Sequence, residues 1–126
     1  MSAETNSPPQ EILLVDDEPL IRDILGRILK GHGFGIIEAE NGREALALFK
    51  KHLSRVSLVL TDVVMPELSG AELAVEILRI RPQLPVLFIS AYPEQIPQSL
   101  QKHRCLAKPF KIPELIANVR ELLHAE

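Results

Sequence analysis

The stretch EILLVDD at residues 11–17 sets the fold of this chain, because it joins a short apolar run directly to two adjacent carboxylates. The run is aliphatic and bounded by acids, which predicts a short buried strand. Apolar residues then recur in adjacent pairs at helical spacing between Leu20 and Leu29, which predicts an amphipathic helix. Pro19 suits the first turn of this helix, and the glycines within 31–33 end it. The stretch therefore predicts a strand, an acidic loop and a helix.

The same alternation of strand and helix recurs along the rest of the chain. The third helix has strong local signals, because Ser69 and Glu72 fit a capping box while Leu68 and Leu73 fit a hydrophobic staple. Pro113 opens the last helix, and a second helix carries its apolar face between positions 45 and 49. Further strands are predicted at 34–38, 56–61, 85–89 and 105–107.

The connection before the fifth strand is irregular. Pro93 and Pro97 fall where a fourth helix is expected, and a proline inside a helix removes a hydrogen bond and clashes with the preceding turn. Only a short helix near 97–103 is therefore predicted. His103 would lie at the C-terminal end of this helix, where the helix dipole favours an imidazolium.

The order of elements predicts one fold. Strands separated by helices pair in parallel through right-handed crossovers, which places helices on both faces of one sheet. We therefore expect a flavodoxin-like (βα)5 three-layer sandwich with strand order 2-1-3-4-5 and a shortened or irregular fourth helix. Residues 1–10 are polar with two prolines and are expected to form a flexible tail, while 11–126 form one domain.

Composition narrows the function classes further. The 126 residues include 17 acids and 14 scattered bases, giving a net charge of −3. A chain without a dense basic patch is poorly suited to nucleic acid or to an anionic membrane, so neither is expected as a partner. The single cysteine, Cys105, excludes an intrachain disulfide framework and zinc sites built on paired cysteines. The apolar runs are too short to span a bilayer, and a cytoplasmic location is expected.

Three carboxylates follow strands that are neighbours in the predicted sheet. Asp16 and Asp17 come directly after the first strand, and Asp62 comes directly after the third. Because ligands of such sheets bind beyond the carboxyl ends of the strands, the three side chains are expected to converge. Clustered carboxylates repel each other unless a cation intervenes, and hard oxygen ligands suit Mg²⁺ or Mn²⁺. The sequence thus predicts a divalent metal site prepared for phosphoryl chemistry.

A hydroxyl and an ammonium group are expected at the same edge. Ser90 follows the fourth strand and Lys108 follows the fifth. Taken singly, each residue has an ordinary explanation: the acidic pair caps a helix, Asp62 starts a turn, and the other two are surface groups. All five at one edge favour a site in which Asp62 is the nucleophile and Lys108 balances the charge of a phosphoryl group.

These motifs together resemble the receiver domain of two-component response regulators over residues 12–123. The resemblance implies that a histidine kinase or histidine phosphotransfer protein passes a phosphoryl group to Asp62. It also implies a signalling domain that catalyses only its own phosphorylation and dephosphorylation and that switches a surface for a downstream protein. The motifs that carry the resemblance are Asp16-Asp17, Asp62 with Met65-Pro66 and Gly70, Ser90-Ala91 and Lys108-Pro109-Phe110.

The resemblance also implies roles for individual residues. Asp17 would bind the metal directly and Asp16 mainly through water, and the backbone carbonyl of Val64 would be the third protein ligand. Phosphorylation would pull Ser90 inward. The bond between Lys108 and Pro109 would be a cis peptide, a form largely confined to proline.

The chain departs from the receiver pattern after Ser90. Cys105 stands where receivers usually carry a switch aromatic, and only 18 residues separate Ser90 from Lys108, which is short for the family. Pro85, Phe88 and Tyr92 are similar to a motif of stand-alone receivers that also lack this aromatic. We therefore hypothesise that Tyr92 partly replaces the missing switch residue. Because neither Val64 nor Tyr92 is charged, we expect no strong acceleration of dephosphorylation from these two positions.

Two other functions stay open, and so does the choice between a stand-alone protein and a domain of a larger one. A small magnesium-dependent phosphohydrolase would also need carboxylates and a lysine, but it usually has an Asp-x-Asp nucleophile loop and a cap domain. A pseudo-receiver that only binds proteins would not need all five site residues. The domain is either a stand-alone regulator, which the start at Met1 favours, or a piece of a hybrid kinase or larger regulator.

Overall fold

The structure is a computed structural model that describes residues 10–124. The tail predicted for residues 1–10 lies outside the described residues, apart from the exposed Gln10. None of the helices within the described part has the length and apolar content that a membrane span requires.

The chain folds around one parallel five-stranded sheet. The spatial order is β2-β1-β3-β4-β5, as the sequence predicts, so β1 and β3 are neighbours at the point where the chain order reverses. Most boundaries differ from the prediction by one residue, and β3 extends to include Asp62. The strands are β1 (Glu11–Val15), β2 (Gly35–Ala39), β3 (Val56–Asp62), β4 (Val86–Ser90) and β5 (Arg104–Ala107).

Helices cover both faces of the sheet, and alternate residues of the strands are buried in two separate apolar cores. Leu13 of β1 packs in one core with Phe49 and Ile77, whereas Leu14 packs in the other with Leu29 and Val119. All six of these side chains are buried, which confirms the three-layer architecture. The helices are α1 (Pro19–Gly31), α2 (Gly42–Lys51), α3 (Gly70–Ile80) and α4 (Ile112–His124).

Two helix starts are fixed by side-chain caps. Ser69 Oγ accepts a hydrogen bond from the backbone N–H of Glu72 at 3.1 Å, and the Glu72 carboxylate accepts one from the N–H of Ser69 at 3.0 Å. This is the predicted capping box, and such a cap contributes about 1 kcal/mol. Asn41 caps α2 in a similar way, accepting from the N–H of Glu44 at 2.7 Å.

The connection from β4 to β5 contains no α-helix. The short helix predicted near 97–103 is present only as a 3₁₀ turn, Gln98–Leu100, and another 3₁₀ turn, Pro93–Gln95, precedes it. A proline at the start of a turn forfeits no internal bond, whereas a continuous helix would have lost one at Pro97. Ile96 and Leu100 are buried and anchor the turns to the core. The predicted shortened and irregular fourth helix is therefore confirmed, in 3₁₀ rather than α form.

Candidate functional site

Three acidic side chains meet at the carboxyl edge of β1 and β3. Val15, the last residue of β1, is in register with Thr61 of β3, so the residues that follow them are held side by side. One carboxylate oxygen from each of Asp16, Asp17 and Asp62 lies within 4.8 Å of the other two. The predicted convergence follows from strand register alone, because no loop has to fold back to bring the acids together.

The electrostatics of the cluster favour a cation. Asp16 is almost fully buried, and burial raises the pKa of its carboxyl group above the ordinary value of 3.8. A hydrogen bond from the N–H of Glu18 at 2.9 Å opposes this rise, whereas the negative charge of Asp62 adds to it. Three hard oxygen donors with unbalanced negative charge fit a divalent ion such as Mg²⁺ or Mn²⁺.

The site also contains the predicted ammonium group. Lys108 Nζ lies 3.3 Å from Asp62 Oδ2, while Asp62 Oδ1 accepts a hydrogen bond from the N–H of Val63 at 2.9 Å. The backbone N–H of Lys108 donates to the carbonyl of Ser90 at 2.9 Å, which ties the ends of β5 and β4 together. The Lys108–Pro109 peptide bond is cis. The cation therefore reaches Asp62 from a strand two places away in the sheet.

Ser90 is buried at the end of β4, and its hydroxyl faces an open cavity. Ser90 Oγ accepts a hydrogen bond from the backbone N–H of Tyr92 at 2.9 Å and keeps its own proton free for donation. The cavity has a volume of about 350 Å³ and opens directly beside the carboxylate of Asp62. Its lining residues are Asp62, Val64, Ser90, Ala91, Tyr92, Gln95 and Lys108.

The remaining predicted residues divide between the cavity and the core. Val64 and Tyr92 line the cavity with side chains that are 62% and 56% exposed. Cys105 does not line it: its half-buried side chain packs against the core that contains Phe88. Burial raises the pKa of the Cys105 thiol, which keeps it protonated. Cys105 therefore acts as a small core residue.

Two charged residues that the sequence did not single out support the acidic loop. The Arg22 guanidinium on α1 donates to the backbone carbonyl of Asp16 at 2.7 Å and lies 3.4 Å from the carboxylate of Glu38 on β2. Gly26 leaves room for Glu38, because a Cβ there would come within 2.9 Å of a carboxylate oxygen. Only the helical position of Arg22, one turn beyond the acids, hints at this role in the sequence.

Gly70 lets the loop after β3 close tightly under the site. A Cβ at this position would collide with the carbonyl oxygen of Asp62, and the N–H of Gly70 donates to the carbonyl of Val63 at 2.8 Å. The start of α3 is therefore packed against the backbone of the candidate nucleophile.

An apolar surface lies beside the acidic site. Leu20 and Ile24 of α1 are 70% and 44% exposed, and Ile112 is 38% exposed on the facing segment. Between Ile24 and Ile112 runs a groove of about 390 Å³ that also contacts Lys108 and Phe110. Exposed apolar side chains that gather around a groove often mark an interaction site.

Comparisons with known proteins agree on one family. A family model described as response regulator receiver domain matches residues 12–120. The chain is 38% identical over 117 residues to the transcriptional regulatory protein CpxR homolog of Haemophilus influenzae, covering 90% of this chain and 50% of the relative. It is 34% identical over 120 residues to the sensor kinase CckA of Brucella abortus, covering 91% of this chain and 13% of the relative. The chain thus spans half or less of the length of these curated relatives.

A solved structure extends the similarity to three dimensions. The response regulator protein TrrA of Thermotoga maritima, in complex with Mg²⁺-BeF, superposes with a TM-score of 0.78 at 36% sequence identity. The match covers 90% of this chain and 98% of that one.

Proposed function

This chain belongs to the response regulator receiver domain family, and from that premise we propose that Asp62 accepts a phosphoryl group from a phosphohistidine donor. The family gives the chain a role in two-component signal transduction as a signalling domain. One observation carries the assignment to Asp62: its carboxylate lies 3.3 Å from Lys108 Nζ within a cluster of three acids at the carboxyl edge of the sheet.

The transfer step follows from the groups around Asp62. A carboxylate oxygen of Asp62 attacks the phosphorus, the new O–P bond forms as the N–P bond of the donor breaks, and the imidazole leaves with the electron pair. The transferred group carries a charge of about −2. The ammonium of Lys108 balances part of this charge. The hydroxyl of Ser90 lines the same cavity and can donate its proton to a phosphoryl oxygen.

Magnesium is the cofactor that the donor set fits. Asp16, Asp17 and Asp62 would hold it together with the backbone carbonyl of Val64, Asp16 mainly through water. When bound, Mg²⁺ neutralises charge on the transferring oxygens. Buried Asp16, with its raised pKa, supports this proposal because a cation relieves the cost of keeping it ionised.

Ser90 and Tyr92 form the proposed switch. The N–H of Tyr92 already bonds to Ser90 Oγ, so an inward movement of Ser90 toward a phosphoryl group would pull on the Tyr92 backbone. Cys105 has no aromatic ring, and Tyr92 partly replaces the missing switch aromatic. Addition of beryllofluoride, a phosphoryl mimic, should shift the ring signals of Tyr92 in NMR spectra, and unchanged signals would contradict this role.

The proposed partners are a histidine kinase or histidine phosphotransfer protein and a downstream protein, in the cytoplasm. The exposed apolar side chains of Leu20, Ile24 and Ile112 support docking of the phosphohistidine donor beside the site, because burying them excludes water around the transfer step. Substitution of Ile24 by Asp should therefore slow transfer from the donor protein without slowing labelling by a small acyl phosphate.

The direct test is labelling with radioactive acetyl phosphate in the presence of Mg²⁺. The intact chain should take up one acid-stable, hydroxylamine-sensitive label, and Asp62→Asn or chelation of Mg²⁺ should abolish it. Asp23→Asn is the matched control, since Asp23 is an exposed acid of α1 paired with Arg27. Retention of the label in Asp62→Asn would overturn the assignment. Steady turnover of a generic phosphate monoester would instead favour the phosphohydrolase, and a chain that never labels would favour a pseudo-receiver.

A further inference from the structure

We propose that Gln95 orients the water molecule that hydrolyses phosphorylated Asp62, and so helps to set the lifetime of the signal. This inference rests on the proposed function of Asp62. It adds a positioning residue that neither the motifs nor positions 64 and 92 supply.

Gln95 is held in the wall of the cavity beside Asp62. It ends the first 3₁₀ turn, where its backbone N–H donates to the carbonyl of Tyr92 at 2.9 Å. The next residue, Ile96, is buried, and its carbonyl accepts a hydrogen bond from Gln101 Nε2 at 3.2 Å. These contacts hold the first 3₁₀ turn in place, with Gln95 on the side that faces the cavity.

The other polar groups of the cavity are poorly suited to orient a water molecule. An attacking water must turn a lone pair toward phosphorus, and it does so when its protons are donated to nearby acceptors. Lys108 has no acceptor atom. Ser90 Oγ already accepts a bond from the N–H of Tyr92, and its proton is needed by the phosphoryl oxygens. Lys108 and Ser90 therefore stabilise the phosphoryl group but do not orient the attacking water.

The carboxamide of Gln95 supplies what these groups lack. Its oxygen accepts a proton from water, and its NH₂ group can donate to a phosphoryl oxygen. Gln95 is exposed and lines the cavity, so its carboxamide is available to solvent there. The Tyr92 hydroxyl is the competing acceptor, since its ring lines the same cavity.

The hydrolytic step needs no further reactant. The water oxygen bonds to phosphorus as the bond between phosphorus and the Asp62 carboxylate oxygen breaks. Asp62 leaves as the carboxylate with the electron pair, and both water protons end on the released phosphate as H₂PO₄⁻. Gln95 takes up no proton, because an amide is not a base at neutral pH, and acts only by orienting the water.

The test measures loss of label after the donor is removed. The intact chain, Gln95→Ala and Gln98→Ala are labelled with radioactive acetyl phosphate in Mg²⁺ buffer, desalted, and followed at neutral pH. Loss of one orienting hydrogen bond should slow decay in Gln95→Ala by roughly 3- to 10-fold. Gln98 is an exposed glutamine in the second turn and does not line the cavity, so Gln98→Ala should decay at the parent rate.

The outcomes separate this inference from the function on which it rests. A parent chain that takes no label overturns the function of Asp62, and the inference with it. Equal initial labelling of all three chains followed by equal decay overturns only the role of Gln95. Slowed decay in Tyr92→Phe but not in Gln95→Ala assigns the water to Tyr92 instead. Equal slowing by Gln98→Ala would also overturn the inference, because it would indicate a disturbed turn rather than a lost amide.

Discussion

The two sides of Asp62 are built in different ways. Toward β1 and α3, the chain uses capped helices and strand register to fix the acids, and the backbone of Gly70 packs directly against Asp62. Toward β4 and β5, two 3₁₀ turns replace a helix, and Tyr92 and Gln95 stand exposed at the rim. The acids are therefore held by regular strands and helices. The surface that would change on phosphorylation is instead formed by short turns.

This difference shows which features the chemistry requires. Lys108 and Ser90 stay in place because the backbone of Lys108 bonds to Ser90 at the end of adjacent strands, whatever lies between them in sequence. The connecting segment contributes no charged group to the acid cluster. It is therefore free to change length and to acquire other roles, such as the one proposed for Gln95.

The largest effect is expected from Gly70→Ala, on the framework side. The new Cβ has no room beside the carbonyl of Asp62, so α3 or β3 must shift, and overpacking of this kind costs roughly 3 kcal/mol of unfolding free energy. Urea denaturation measures the loss. Gly31→Ala is the control, because nothing lies within 4 Å of a Cβ at Gly31. That substitution should be neutral or slightly stabilising. Equal stability of both variants would contradict the tight approach at Gly70.

A second effect is expected from Asp16→Asn, within the cluster of three acids. Asp16 is buried beside two other acids, and its pKa is raised by burial and by the charge of Asp62. A raised pKa means that the ionised form destabilises the fold above the ordinary pKa of the group. Asp16→Asn should therefore increase stability at pH 7 in EDTA, on the order of 1 kcal/mol. In saturating Mg²⁺ the parent chain should recover more stability than the variant.

Thermal unfolding with and without Mg²⁺ checks this prediction. Asp23→Asn is the control, because Asp23 is an exposed residue of α1 outside the cluster. Lower stability of Asp16→Asn in EDTA would show that the hydrogen bond from Glu18 outweighs burial and repulsion at Asp16.

The framework side is also the side that the sequence predicts well. Periodicity located every strand to within about a residue, and Ser69 and Glu72 identified a cap that depends only on local geometry. The convergence of the acids followed from strand order, which a short list of topological rules restricts. These features are local or are fixed by register.

The features that the sequence did not predict depend on contacts between residues far apart in the chain. The bond from Arg22 to the Asp16 carbonyl requires α1 to lie against β2, where Glu38 orients the guanidinium. The short helix predicted near 97–103 is a 3₁₀ turn rather than an α-helix, and the turns are anchored to the core by the buried side chains of Ile96 and Leu100. The position of Gln95 at the cavity then follows from those turns.

Removal of a helix cap gives an effect of similar size and compares the stability of the two sides. Ser69→Ala deletes the acceptor for the N–H of Glu72 and should lower the unfolding free energy by about 1 kcal/mol. Ser99→Ala alters an exposed serine within the second 3₁₀ turn and should change stability by less than about 0.5 kcal/mol. Chemical denaturation of both variants tests the contrast. A larger loss for Ser99→Ala would mean that the turns, and not the helix caps, limit stability.

The smallest effect concerns the protonation of His103. This residue does not end a helix as predicted but directly precedes β5, where its ring meets that of Phe88 edge-on at 6.5 Å. Its Nε2 is buried with no hydrogen-bond partner among residues 10–124. Burial lowers the pKa of His103 below the ordinary value of 6.5, and the charge of Lys102 lowers it further.

The sign of the pH effect follows from this lowered pKa. Below pH 6.5 the unfolded chain binds a proton at His103 more readily than the folded chain does, so stability is lost as pH falls through and below that value. Above it, His103 contributes no pH dependence. His103→Gln should therefore flatten the decline in melting temperature between pH 7.5 and about pH 5.5. His124→Gln, at the exposed end of α4, should leave more of the decline in place, and the reverse order would contradict an imidazole kept neutral by burial.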